Sequence, residues 1–231
     1  DYYLPTDAYL ETCAAVGAGF FSQRMNELTG DGKYMDEFER VLYNNVLTGV
    51  SLSGDQYTYQ NPLNAHDHSR WAWHSCPCCP PMFLKMVSEL PNYIYASSGD
   101  GVFVNMFIGS DANIRLSNKT LIAISQKTNY PWEGKISLNV NPEKESAFSL
   151  SLRIPGWARG KENPYDLYSS DLPSLYTLLV NGSPANATMN NGYAVISRKW
   201  KKGDQVELQL PMKPRFVTAN NQVKDLRNRV A

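Results

Sequence analysis

Apolar residues in the first ninety positions recur at the spacing of helices. Over residues 8–29, Ala14, Ala15, Val16, Phe20, Phe21, Met25 and Leu28 fall at roughly helical intervals. The Thr29-Gly30-Asp31-Gly32 run that follows is a stop and turn. From Lys33 to Leu47 a second stripe, Tyr34, Phe38, Val41, Leu42 and Val46, predicts another helix, with Gly49 just past its end. Residues 50–60 alternate weakly around a Ser-Gly-Asp turn, and residues 61–71 read as a polar loop. Met82 to Leu90 predicts a third helix, with Pro80 and Pro81 suited to a first turn, where no amide donor is needed.

The pattern changes near residue 92. Short apolar runs at Tyr93–Tyr95, Val102–Phe107, Leu121–Ile124, Lys135–Val140, Leu178–Val180, Tyr193–Ile196 and Val206–Leu210 are separated by turn residues. Ser149 to Ile154 alternates strictly. Regular short strands of this kind predict an antiparallel β-sandwich. Residues 160–176, rich in Tyr, Ser, Asp and Pro, read as an inserted loop. The expected fold class is therefore α+β, in two parts: a helical part over residues 1–91 and a β-sandwich over residues 92–231. Helix hairpins joined by long polar loops suit a helical barrel, and three helices are too few to close one. The chain begins at Asp1 without a methionine and ends as an apolar strand is starting. It is expected to be part of a longer polypeptide, with the sandwich cut short at its C-terminal end.

Composition narrows the function classes. Of 231 residues, 42% are hydrophobic and 19% charged, an ordinary globular balance. Lysine plus arginine equals aspartate plus glutamate, 22 of each, so no general basic surface for nucleic acid is indicated. No apolar run approaches the roughly 18–20 residues that span a bilayer. A homodimer is an allowed assembly, and the compartment stays open between bacterial cytoplasm and periplasm.

Three of the four cysteines fall in Cys76-Pro77-Cys78-Cys79-Pro80-Pro81, and the fourth is Cys13, in Glu11-Thr12-Cys13. Zinc accepts thiolate, imidazole and carboxylate ligands in tetrahedral sets, and thiolates favour it over magnesium or calcium. The paired C-x₂-C spacing of zinc ribbons is absent; only Cys76 and Cys79 have it. Spacing alone leaves open a zinc site, buried structural thiols, and a redox pair or disulfide.

Several segments, in order, resemble glycoside hydrolase family 127, the β-L-arabinofuranosidase family. They are Ala8–Ala14, Arg24–Asp31, Glu39–Asn44, Tyr59–Leu63, Cys76–Pro81, Tyr130–Gly134, Leu152–Trp157 and Leu210–Met212. The resemblance implies the C-terminal part of an (α/α)6 barrel followed by a β-sandwich. It implies a retaining exo-glycosidase acting on a carbohydrate substrate, with terminal β-L-arabinofuranose the expected sugar, and Zn2+ as cofactor. By the same resemblance, Cys78 is the nucleophile, Glu11, Cys13, Cys78 and Cys79 are the zinc ligands, and Glu39 and Tyr59 contact substrate. The family's acid/base glutamate lies upstream of the Glu-Thr-Cys segment, where this chain has none, so it is expected outside the chain. Met82 stands where family members often carry asparagine. The alternatives are a relative that cleaves another plant-polysaccharide sugar, or a non-catalytic zinc-stabilised sugar-binding scaffold.

Other residues carry weaker signals. His74, two residues before Cys76, is a candidate for lining the pocket and contacting substrate. His66 and His68 lie in a polar loop and read as surface. Trp71 and Trp73 suit either sugar stacking or core packing. Trp132, Trp157 and Trp200 are expected to be packing anchors.

Overall fold

The computed structural model describes residues 8–62, 67, 69–162, 166–170 and 175–230. It is a mixed α+β fold, as expected. Helix α1 (Thr12–Thr29) ends at Gly30, whose φ of 64° is the left-handed cap that glycine adopts without strain; its amide donates to Asn26 O at 2.8 Å. Helix α2 (Lys33–Val41) begins three residues later and forms a hairpin with α1. It does not run unbroken to Leu47. A π turn over Leu42–Val46 and a 3-10 turn over Leu47–Gly49 close it, widening the helix at Tyr43 and Asn44. Helix α3 (Cys79–Glu89) carries Pro80 and Pro81 in its first turn, and the short α4 (Pro91–Ile94) follows, where strand had been expected from Tyr93. Val16, Met35, Phe38, Leu42, Val46 and Met86 form the buried seam of this helical layer.

Thirteen strands are described. One sheet has the order β1 (Tyr95–Ser98), β2 (Gly101–Val104), β6 (Ser146–Arg153), β11 (Tyr193–Trp200), β10 (Thr188–Asn190). The other runs β3 (Ser110–Arg115), β4 (Leu121–Thr128), β5 (Lys135–Pro142), β12 (Asp204–Gln209), β8 (Thr177–Val180), β9 (Ser183–Pro184). Leu150, Leu152, Ile196 and Trp200 from the first sheet meet Ile122, Ile136, Leu138, Val206 and Leu208 from the second in one buried core. The sandwich is not wholly antiparallel: β2 pairs β6 in parallel, because β3, β4 and β5 intervene and belong to the opposite sheet. The segment read as an inserted loop contains β7 (Tyr168–Ser170), paired with β13 (Val217–Ala219), and Thr218 also bridges Val230.

Strand β6 positions the two layers. Its alternate residues Phe148, Leu150 and Leu152 enter the sandwich core. Ser151 and Arg153 face the other way and are buried as well. Fully buried Arg153 donates Nη1 to Asp36 Oδ1 (2.6 Å), Nη2 to Glu39 Oε1 (2.8 Å) and Nε to Asn105 O (2.7 Å). Arg159 Nη2 reaches the other Asp36 oxygen at 3.0 Å. Nearby, the Tyr193 hydroxyl donates to Asn105 Oδ1 (2.8 Å) and accepts from Asn26 Nδ2 (2.9 Å). Two arginines thus match two carboxylates, so the layer boundary holds charge without net charge. Burial works against the Arg153 charge, but Glu39 and Asp36 outweigh it and hold the guanidinium protonated.

The tryptophans separate. Trp200 is fully buried and donates Nε1–H to Phe148 O at 3.0 Å. Trp157 is half-buried beneath the Arg215 guanidinium. Trp132, expected to pack, is instead 87% exposed at the turn between β4 and β5. No helix among the described residues is long and apolar enough to cross a membrane.

Candidate functional site

Residues 8–10 were expected to be helical; they lie outside the helix, because the chain here pairs with another segment. Glu11 bridges Gln60, and Asn61 N donates to Leu10 O at 2.7 Å. Helix α1 therefore starts at Thr12, and Glu11 precedes it with extended backbone. On the far side, Cys78 immediately precedes α3 and Cys79 is its first residue. Contact between α1 and α3 brings the two helix starts together.

Four side chains converge there. Cys13 Sγ lies 3.1 Å from Cys78 Sγ and 3.4 Å from Cys79 Sγ. Cys78 and Cys79 sulfurs are 3.9 Å apart, and Cys78 Sγ is 3.5 Å from Glu11 Oε1. All four potential ligand atoms lie within 4.8 Å of one another. A disulfide needs about 2.05 Å, and all four cysteines are free. Sulfurs at about 2.3 Å from one tetrahedral ion would be about 3.8 Å apart, so the observed separations bracket that spacing. The donor set fits a soft divalent ion. Burial pushes both the Cys13 and Cys79 thiols up, and for Cys13 the neighbouring sulfurs push the same way. Holding these three sulfurs as thiolates beside a carboxylate in a half-buried space would call for a cation.

An aromatic wall stands beside the sulfurs. Tyr59 stacks on His74 with ring centroids 4.5 Å apart, and Trp71 stacks on His74 at 4.9 Å. The Tyr9 ring meets Tyr59 edge-on. Hydrogen bonding with Tyr9, together with burial and contacts to Cys78 and Cys76, raises the Tyr59 phenol above its usual range. Tyr57 N and O pair with Trp71 O and N at 2.9 and 2.8 Å, which folds this loop back beside residues 57–61. The backbone N–H of Cys76 donates to His74 Nδ1 at 3.1 Å. Cys76 itself is exposed, and Trp73 is exposed too.

Of the residues singled out from the sequence, Glu11, Cys13, Cys78, Cys79, Tyr59 and His74 are gathered in one place. Glu39 is not among them. It is buried on α2, bound to Arg153, and lines a separate cleft of about 200 Å³ with Tyr43, Tyr130 and Trp157. Its helix meets the start of α1 only ten residues later, at Gly49, which packs on Thr12. His66 and His68 lie outside the described residues. Thr12, Asn61 and Arg153 were not singled out. The signal for Arg153 was a charged residue ending an otherwise apolar alternating strand.

An α+β protein with a helical layer on a two-sheet sandwich and a cluster of three cysteines and a glutamate between two helix starts is the class that fold and site define. The chain belongs to glycoside hydrolase family 127. Residues 1–92 match the model of the β-L-arabinofuranosidase GH127 catalytic domain, and residues 101–212 that of the GH127 middle domain. Over its whole length it is 32% identical to a non-reducing end β-L-arabinofuranosidase of Bifidobacterium longum subsp. longum, of which it covers 35%. A solved GH127 β-arabinofuranosidase superposes with a TM-score of 0.92 at 41% identity, over 99% of this chain and 37% of that one. A GH127 β-L-arabinofuranosidase from Geobacillus stearothermophilus T6 gives 0.89 at 36% identity, over 100% and 36%. The chain thus spans about a third of the length of these relatives.

Proposed function

We propose that this chain carries the nucleophile and metal centre of a retaining exo-glycoside hydrolase that removes terminal β-L-arabinofuranose from plant glycans or glycoproteins. The observation that carries the reading is the convergence of Glu11 with the Cys13, Cys78 and Cys79 sulfurs. The activity printed for the relatives supports the substrate class.

In this reading Glu11, Cys13, Cys78 and Cys79 hold Zn2+. When bound, it would keep the sulfurs as thiolates, whereas a free thiol titrates near 8.5. Cys78 takes the place of the carboxylate nucleophile used by most retaining glycosidases. Its sulfur attacks the anomeric carbon as the bond to the leaving oxygen breaks, giving a thioglycosyl intermediate that water opens with net retention. Tyr59, His74 and Trp71 form the wall against which a furanose would lie, with His74 and Tyr59 offering polar groups to its hydroxyls. Glu11 is committed to the cluster, so protonation of the leaving oxygen falls to the glutamate that the family places ahead of the Glu-Thr-Cys segment. A substrate role for Glu39 would have to be exercised from the cleft beside Tyr43 and Tyr130.

The helical layer is read as the end of an (α/α)6 barrel. Supporting this, Phe21, Leu28 and Leu84 on α1 and α3 are 63%, 79% and 64% exposed, an apolar face that further helices would cover.

Metal analysis tests the centre. The intact protein is expected to purify with one zinc per chain, and Cys13→Ser to lose it. Prolonged chelation should abolish turnover of an aryl β-L-arabinofuranoside, and added Zn2+ should restore it. Full activity in metal-free protein would refute the reading.

A further inference from the structure

The start of α1 is capped in an unusual way. The position before a helix is ordinarily filled by Ser, Thr, Asp or Asn, whose short side chain accepts from the helix's own first amides. Glu11 occupies that position and makes no such bond; its Oε1 lies beside Cys78 Sγ instead. The first helical amide, Thr12 N–H, is satisfied from outside, by Tyr59 O at 3.0 Å.

Thr12 lies between two members of the cluster and is 1% exposed. Its hydroxyl donates to Thr58 O at 2.7 Å and accepts from Asn61 Nδ2 at 2.8 Å. The Asn61 backbone is fixed to Leu10 O, and Thr58 N–H donates to Gly49 O at 2.7 Å. The Thr12 methyl packs on Gly49, where an added Cβ would come within 3.2 Å of it. One side chain therefore ties together the start of α1, the segment carrying Tyr59 and the end of the α2 hairpin. Its single donor and its acceptor are both used.

We propose that Thr12 and Asn61 are positioning residues of the metal centre. They pin the start of α1 to residues 58–61, which keeps the Tyr59 carbonyl on the Thr12 amide and leaves the Glu11 carboxylate and Cys13 thiol facing Cys78. They also hold the backbone of Tyr59 in fixed register with that ligand pair. The proposal rests on the metal reading given above. Partners that orient ligands without touching the ion typically contribute about 10–100-fold in affinity.

Zn2+ affinity of the intact protein, read by competition with a chromophoric chelator, tests it. Thr12→Val keeps the shape, removes the donor to Thr58 O and leaves Asn61 Nδ2 with only its 3.5 Å contact to Leu10 O; it is expected to weaken zinc binding about 10–100-fold. Thr12→Ser keeps both hydrogen bonds and is expected to bind as wild type. That rescue separates positioning from simple loss of the methyl contact. The Co2+-loaded proteins give a second readout: the thiolate charge-transfer bands should shift in Thr12→Val and not in Thr12→Ser. Wild-type binding with an unchanged Thr12→Val overturns the positioning role alone, as does equal weakening by valine and serine. A folded wild type that takes up no zinc overturns the metal reading and this proposal together. Should Thr12→Val fail to fold, Asn61→Ala removes one of the two bonds. It is expected to weaken zinc binding at an unchanged unfolding midpoint, and unchanged affinity there overturns the proposal.

Discussion

Cys78→Ser lowers turnover of an aryl β-L-arabinofuranoside by at least about 10⁴-fold, the order seen when an enzyme loses its nucleophile. No concentration of added zinc restores it. Cys79→Ser behaves differently. Cys79 is buried at the first position of α3 and is the more buried of the two adjacent cysteines. Its loss weakens the metal site, and excess Zn2+ returns part of the activity. The contrast separates the two roles, because both variants remove a ligand but only one removes the attacking atom. In wild type, a mechanism-based furanoside label should be found on Cys78 by peptide mass analysis. Recovery of Cys78→Ser by zinc, or a label on Cys13 or Cys79, would assign the nucleophile elsewhere.

Arg153→Met destabilises the fold by about 3–5 kcal/mol, the usual cost of leaving buried charge uncompensated. The methionine fills much of the volume and supplies no donors. Glu39 then loses its arginine partner, Asp36 retains Arg159 and the Gly156 amide, and the Asn105 carbonyl loses a donor. In a chain of this size the melting temperature should fall by roughly 10 °C. Arg153→Lys recovers little, since a single ammonium cannot reach both carboxylates in the geometry of a planar fork. Arg24→Met is the control: its pair with Glu27 is 74% and 44% exposed, and such pairs contribute about 0.5 kcal/mol or less. A change under about 1 kcal/mol for Arg153→Met would mean that Glu39 and Asp36 find other partners, and the network would not hold the layers together.

The division into helices followed by strands was legible because periodicity switches sharply near residue 92. The sandwich core was legible for the same reason: Leu150, Leu152, Ile136 and Leu138 alternate with polar neighbours. The parallel pairing of β2 with β6 was not, since strand order depends on which sheet each strand joins and local pattern says nothing about that. The helix-like spacing of residues 8–11 was overridden by pairing with residues 59–61. Trp132 is a similar case. Aromatic residues beside strands are more often packed, but here the side chain sits at a turn where no sheet covers it. In the site, the cysteines were visible as a composition anomaly, and the resemblance supplied Glu11 and Tyr59. Thr12 and Asn61 carried no signal, because a threonine and an asparagine gain meaning only when two distant segments are seen to cross. Glu39 stood out as a motif residue, but its ion pair with Arg153 spans 114 positions and no local pattern anticipates it.

The burial of β6 on both faces has a consequence for synthesis. Asn26 waits for Tyr193, 167 residues later, and Asp36 and Glu39 wait for Arg153. A chain emerging from the ribosome makes the α1–α2 hairpin long before its charged side has a partner. The helical residues should thus stay loosely docked, with native acidic groups still hydrated, until β6 and β11 are made. Such long-range closure favours slow folding. A cut near residue 92 separates helix from strand neatly by pattern, yet it leaves Asp36 and Glu39 in a fragment without Arg153 and Arg159, which bind them. The boundary drawn by secondary structure is therefore crossed by the ion pairs of Arg153 with Asp36 and Glu39.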